Sequence, residues 1–460
     1  MSQVFGRRRL YGLCVVLLGC LFFGIRGYYD QTQAVQSRDF KCVYTGASCL
    51  LDGCDSYDYL TLRRTMLAHG GDLSDPVPFA PYTANYLPSA LFFAIPLALL
   101  PYGPADAIWL VVSILLFCWA AFCIADLCVG PRALMVQCVL AVFVATNTMP
   151  VMLAQPALMS ISLIVIAMWC FLQQRFTALG VAAFSMSLVF KPHLGALVWL
   201  FLLLSHSGGE GIGRREEGNS TEPEVNFRRR ALQIFVMTLL LSVPGILLAF
   251  HHPATTHWPQ ELRANLQGIA GRGHLSDPGP SNADAPSIAN LQAIFSLVRD
   301  DSGFYNRAAM ATFLPLSLAW AYLIVRRLRN PGRRISESTG VSEGRARDLL
   351  ALAAASTLSF LPIYHRQYDT GYLLLMFPAI ALMASTNRTR GWVAVALSAF
   401  ATVTMTHQFP HLGTVLEDRV GRLPGPVWLL FHRPLPLTLL MLSCFLLYCM
   451  IRLAVEERQA

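Results

Sequence analysis

Leu87-Pro88-Ser89-Ala90-Leu91-Phe92-Phe93-Ala94-Ile95-Pro96-Leu97-Ala98-Leu99-Leu100 is the stretch on which the topology turns. It is apolar almost throughout. At about 14 residues it falls short of the roughly 20 that a helix needs to cross the hydrocarbon core. The chain's arginines depend on which way it goes. If residues 87–100 cross, the Arg clusters beyond them land outside. If the stretch is re-entrant or lies along the interface, every cluster lands inside, as the positive-inside tendency requires. The second arrangement is the one expected.

The rest of the chain has the same character. Of its 460 residues, 55% are hydrophobic and only 13% charged, where a soluble domain carries nearer a quarter. Lipid offers backbone groups no partner but each other, so the apolar runs are read as helices. They cover 10–28, 105–127, 133–149, 155–172, 176–190, 194–205, 231–250, 307–325, 348–363, 370–385, 391–406 and 434–451. The fold class is therefore all-α: a polytopic membrane protein of about 12 transmembrane helices, forming a single integral membrane domain over 1–460 with both termini cytoplasmic. Arg7, Arg8 and Arg9 precede the first run much as in a signal peptide. The exit Arg26-Gly27-Tyr28-Tyr29-Asp30 offers no small-residue cleavage site, and the run reads as a retained span.

Between spans, 30–104 is read as a first outer loop with interfacial or re-entrant helices, 206–230 as a cytoplasmic linker rich in Ser, Gly, Glu and Arg, and 251–306 as an outer flap. The flap holds too many turn formers for a compact domain. The segments 191–193, 364–369 and 407–433 also fall outside. The net charge of +8 sits in these breaks and implies no nucleic-acid partner. Only two lysines occur, Lys41 and Lys191. Of the 12 cysteines, Cys42, Cys49 and Cys54 share the first loop, where an oxidising side would allow one disulfide.

Polar residues gather on the outer side. Asp39 precedes Phe40, Val43, Tyr44, Ala47, Leu50 and Leu51, whose spacing predicts an amphipathic helix lying on the membrane. Asp39 is then at its N-terminus, where capping is the plain role and general base catalysis a compatible one. Asp52, Asp55 and Asp58 flank Gly53 as turn formers. Lys191-Pro192-His193 and the turn Tyr364-His365-Arg366-Gln367-Tyr368-Asp369 place cations outside, against the usual bias. Snorkelling to headgroups explains such residues; so does binding of a lipid phosphate. No Walker loop, dinucleotide fingerprint, H-E-x-x-H, paired C-x-x-C or G-x-S-x-G is present.

The ordered set Asp39-Phe40, Val43-Tyr44, Ala47, Leu50-Leu51-Asp52-Gly53 and Asp55-Ser56-Tyr57 resembles the opening signature of glycosyltransferase family 87. The order continues with Asn85-Tyr86-Leu87-Pro88, Leu99-Leu100-Pro101, Ala107-Ile108-Trp109, Gln155, Lys191-Pro192 and Pro362 with His365. These are mannosyl- and arabinosyltransferase-like membrane proteins of the polyprenyl-phosphate-dependent GT-C class. This chain has Ala154-Gln155 where the family usually has Gly-Gln, Leu87 within its Tyr-Pro-Pro, and Ser56 for a proline. The resemblance implies a GT-C-like fold and sugar transfer, from a polyprenyl-phosphate-linked donor to a lipid or glycan acceptor, at the extracytoplasmic face of the cell membrane. It implies Asp39 as the catalytic base. Lys191, His193, His365, Arg366, Tyr44, Asp55 and Gln155 are the substrate-binding candidates. The leaving phosphate is already a stable anion, so no cofactor and no metal is demanded. A lipid or sugar transporter is the rival expectation; it predicts inverted repeats and midplane charges, and the sequence displays neither clearly.

Overall fold

The computed structural model describes residues 2–33, 39–73, 84–205, 226–327, 343–406, 409–421 and 423–459. Among these no strand forms, and a single isolated antiparallel bridge joins Ile288 to Arg366. Among the described residues, seven helices are long and apolar enough to cross a membrane: Arg9–Gln33, Tyr102–Leu127, Ala133–Met152, Phe227–His251, Ser302–Arg326, Gln367–Thr386 and Pro434–Glu456. Four shorter apolar helices accompany them, Pro88–Ala98, Pro156–Leu172, Thr177–Phe190 and Pro192–Leu204. The protein is an all-helical, multi-pass membrane protein. Most of the expected spans have a helix counterpart. Residues 359–363, expected to continue a span, are not helical, because the helix Glu343–Leu358 stops ahead of Pro362.

The stretch that opened the sequence reading forms the helix Pro88–Ala98. Its 11 residues rise about 16 Å, roughly half the hydrocarbon thickness. Tyr102 N–H then donates to His69 O at 3.3 Å. The long Tyr102–Leu127 helix therefore starts beside the loop that the chain has just left. Gly245 lets the Phe227–His251 helix close on this segment: a Cβ there would meet Pro88 O and Ser89 Cα.

Helix Phe40–Asp52 begins where expected, but it does not lie on a surface. Every residue from Phe40 to Leu50 is buried. Phe40 stacks on Trp109 with ring centroids 4.7 Å apart, and Val43, Tyr44 and Ala47 join Tyr57, Leu62, Met66 and Tyr102 in one apolar cluster. The polar face is satisfied internally: Thr45 Oγ1 donates to Lys41 O at 2.7 Å, Ser48 Oγ to Tyr44 O at 3.0 Å, and Lys41 Nζ to Asp72 O at 3.4 Å. The periodicity marks packing against protein rather than an interfacial face. Gly53 ends the helix at φ 74°, the left-handed conformation suited to glycine. Cys49 and Cys54 form a disulfide across that turn.

The innermost span is Gln367–Thr386, 89% of which is buried inside the protein. It begins as a 3-10 helix, Gln367–Met376, and continues as the α-helix Phe377–Thr386. The segment 251–306, expected as an outer flap, carries the short helices Pro253–Thr255, Trp258–Ile269, Ala285–Ser287 and Gln292–Phe295. Its return side is fastened to the bundle, since Ala289 N–H donates to His365 O (2.8 Å), Leu291 N–H to Leu361 O (3.1 Å) and Gln292 Nε2 to Pro362 O (2.8 Å). The segment 407–433, expected as a loop, holds the helices Phe409–Val420 and Gly425–His432. Of the expected linker, 206–225 lies outside the described residues. Residues 227–230 belong to the Phe227–His251 helix, whose start is capped by Asn226 Oδ1 accepting from Arg229 N–H at 3.0 Å.

Candidate functional site

Asp39 is set by its backbone. Its N–H donates to Leu153 O at 2.9 Å, and Trp109 Nε1, stacked behind Phe40, donates to Ala154 O at 3.2 Å. The corner at 153–155 thus holds the start of the Phe40–Asp52 helix. Asp39 occupies the N-cap position, yet its carboxylate makes no capping bond to the helix. Capping, the plain role, is not what orients this side chain. Asp39 as a residue is partly accessible. Its charge reaches the phenols of Tyr86 and Tyr368.

Lys191 sits in an extended corner, φ −144° and ψ 81°, between the helices Thr177–Phe190 and Pro192–Leu204. The following proline disfavours helical geometry at Lys191 and then starts the next helix. The ammonium turns inward. It lies 3.6 Å from Asp369 Oδ1 and 5.1 Å from the centre of the Tyr368 ring. His365 Nδ1 approaches Asp369 Oδ2 at 3.2 Å, and its ring lies 5.1 Å from that of His193. Asp369 also accepts from Arg366 N–H at 3.2 Å, as an acidic residue three positions into a helix covers the cap amide. Lys191, His365 and Asp369 are buried, whereas His193 and Arg366 are partly accessible. His365 Nε2 is sealed and, among the described residues, has no hydrogen-bond partner.

Arg366 is held from the flap. Its Nε and Nη2 donate to Ser287 Oγ at 3.1 and 2.8 Å, and Nη2 stands 3.3 Å from Asp284 Oδ2. Burial works against its charge. Tyr364, Tyr368 and Asp284 outweigh that and hold the guanidinium above its ordinary range. Tyr86 faces both acids of the site: burial raises its phenol well above the usual value, and Asp39, Cys42 and Asp369 raise it further.

Five of the sequence-derived candidates, Asp39, Lys191, His193, His365 and Arg366, are thus drawn around Tyr368 and Asp369. Three are not part of that group. Tyr44 is fully buried, and its hydroxyl donates to Leu100 O at 2.6 Å with His69 Nδ1 at 3.3 Å. Asp55 accepts from Tyr57 N–H at 2.8 Å beyond the Gly53 turn, and burial raises its carboxyl above the ordinary range, with Asp58 adding to the rise. Gln155 is buried at the start of Pro156–Leu172; its Oε1 has no partner, and it shapes the corner that holds Asp39. Five participants were missed: Tyr368, Asp369, Tyr86, Asp284 and Ser287. The signal for Asp369 was present in its spacing, three residues after Arg366 and four after His365. Nothing in the local sequence marks Asp284 or Ser287.

Chemically, the arrangement brings together Asp39, a buried ammonium–carboxylate–imidazole group and the Arg366 guanidinium. Among the described residues no group of three or more His, Cys, Asp or Glu side chains is set to hold a metal ion. No family model, curated protein or solved structure matches this chain.

Proposed function

We propose that the protein is a glycosyltransferase that moves a mannose-like hexose or a pentose from a polyprenyl-phosphate donor to a lipid or glycan acceptor. The reading adopts a GT-C-like arrangement of twelve crossings in the cell membrane, with both termini cytoplasmic and Asp39 on the outer face. Asp39 takes the proton from an acceptor hydroxyl while that oxygen forms a bond to the anomeric carbon. The bond from that carbon to the phosphate oxygen breaks, its electron pair leaves with the polyprenyl phosphate, and the anomeric configuration inverts. Arg366 keeps donors facing the leaving phosphate beyond those used on Ser287 and Asp284, and Lys191 adds positive potential from below.

One observation carries this reading: Tyr368, whose ring lies 5.1 Å from the Lys191 ammonium, also feels the charges of Asp369 and Asp39, which come from distant parts of the chain. A carboxylate placed near a buried ion pair and a guanidinium suits a base working against a departing anion. The test is Asp39→Asn in membranes supplied with polyprenyl-phosphomannose and, separately, polyprenyl-phosphopentose. Turnover falls about 10²–10⁴-fold at normal expression. Undiminished turnover overturns the assignment.

A second reading has one observation in its favour. The Lys191–Asp369 pair is buried and Asp369 lies at the head of the innermost span, and ionisable groups at such depth mark transport pathways in membrane proteins. Reconstituted protein that carries a lipid-linked sugar across a vesicle bilayer, without transferring the sugar, decides for that reading.

A further inference from the structure

The helix Thr177–Phe190 has Lys191 at one end and a different feature at the other. A groove of about 480 Å³ runs between its first turns, at Ala178 and Val181, and the start of the Phe227–His251 helix. The 14 residues of the first helix span about 20 Å, so the groove opens near the opposite membrane face from the Asp39 group. The second helix agrees with this placement: its far end leads to His252, whose ring lies against Gly53 in the first loop.

The groove is divided by polarity along its length. Arg229, Arg230 and Gln233 form one end. Leu232, Val236 and Leu240 line the rest, in one stripe at helical spacing, and they are 53%, 53% and 62% exposed. Arg230 Nη1 donates to Gln233 Oε1 at 2.9 Å, while its Nε is shut away from solvent with no acceptor. Among the described residues no carboxylate pairs with either arginine. Two adjacent guanidiniums at the head of an apolar stripe on an outward-facing helix ask for an anion that carries an apolar tail.

We propose that this groove binds an anionic diacyl phospholipid, with the headgroup phosphate on Arg229 and Arg230 and an acyl chain along Leu232, Val236 and Leu240. Planar guanidinium forks suit phosphate oxygens, and the first turn of a helix favours an anion through its dipole. The stripe from Leu232 to Leu240 runs about 12 Å, long enough for the upper part of an acyl chain. The site stands independently of the glycosyl-transfer reading, since it shares no residue with it.

The test uses the purified full chain in detergent, with phosphatidylglycerol and phosphatidylcholine as probes and retained lipid read by native mass spectrometry. Wild type retains phosphatidylglycerol in preference to phosphatidylcholine. Arg229→Gln with Arg230→Gln weakens phosphatidylglycerol retention about thirtyfold, from roughly fivefold per charge; Arg229→Lys with Arg230→Lys recovers part of it. Ala178→Trp fills the groove, leaves both charges in place, and weakens retention as well. Equal retention of the two lipids by wild type overturns the proposal, and that measurement needs no variant to fold. Full retention by Ala178→Trp overturns it too, by reducing the arginines to ordinary surface charge.

Discussion

Lys191 Nζ stands 3.6 Å from Asp369 Oδ1, with the two side chains 11% and 3% exposed. At that depth each charge depends on the other. Removing both from water costs several kcal/mol, and their attraction offsets this only while the pair is intact. Lys191→Met therefore destabilises the protein by about 3–5 kcal/mol, by leaving Asp369 uncompensated. Combining it with Asp369→Leu restores most of the loss. Thermal unfolding of the purified variants reads the difference. A double variant as unstable as the single one would trace the effect to packing rather than charge.

Arg366 separates phosphate recognition from snorkelling. Fixed by Ser287 and Asp284, it is a positioned guanidinium rather than a free one. On the glycosyltransferase reading, Arg366→Ala raises the KM for a polyprenyl-phosphate sugar about ten- to hundredfold, the worth of a hydrogen bond to a charged group. Acceptor KM stays within a factor of about two. A donor KM equal to wild type would assign the residue to the headgroup region instead.

Ala154 has φ 48°, a left-handed conformation that a Cβ disfavours, at the position where the resembling family usually has glycine. Ala154→Gly should stabilise the protein by about 1 kcal/mol, seen as a higher melting temperature. The backbone bond from Asp39 N–H to Leu153 O is expected to survive, so activity per folded molecule should not fall. A lower melting temperature would mean that the alanine methyl packs better than its backbone suffers.

Asp277 gives the flap a pH dependence. Burial raises its carboxyl, but Gly273 N–H (2.7 Å), Gly279 N–H (2.9 Å), Ser281 Oγ (2.9 Å) and the Arg272 charge outweigh that and hold it below the ordinary range. A depressed carboxyl contributes its stability above the unfolded value, near pH 4, and loses it as pH falls through the lower folded value. The protection of amides 271–284 against exchange, relative to the intrinsic rate at each pH, should fall in wild type below about pH 4. In Asp277→Asn that protection should already be low at pH 7 and change little on acidification. An acid response in the variant equal to that of wild type would place the sensitivity elsewhere.

The sequence reading reached the members of the site that break a rule. Lys191 and Arg366 were conspicuous because the charge pattern assigns them to the side where cations are expected to be scarce, and Asp39 because it precedes a periodic run. Asp369 followed no broken rule, and the Asp284 and Ser287 contacts cross from a turn-rich segment whose pairing leaves no periodic trace. Tyr44 and Asp55 show that nearness along the chain is not nearness in space: neighbours of Asp39 in sequence, they sit in other surroundings. Helix 40–52 was found, but its setting was misjudged, because an apolar stripe reads the same whether protein or lipid covers it.

The scarcity of lysine has a practical consequence. Lys41 and Lys191 are 6% and 9% exposed, so no lysine side chain among the described residues is open to an acylating reagent in the native state. Lysine-directed acylation will find neither side chain open in the folded protein. Once either lysine takes up the reagent, the fold around it has opened. The residue that lies beneath the proposed chemistry is thus also a built-in reporter of that region's integrity.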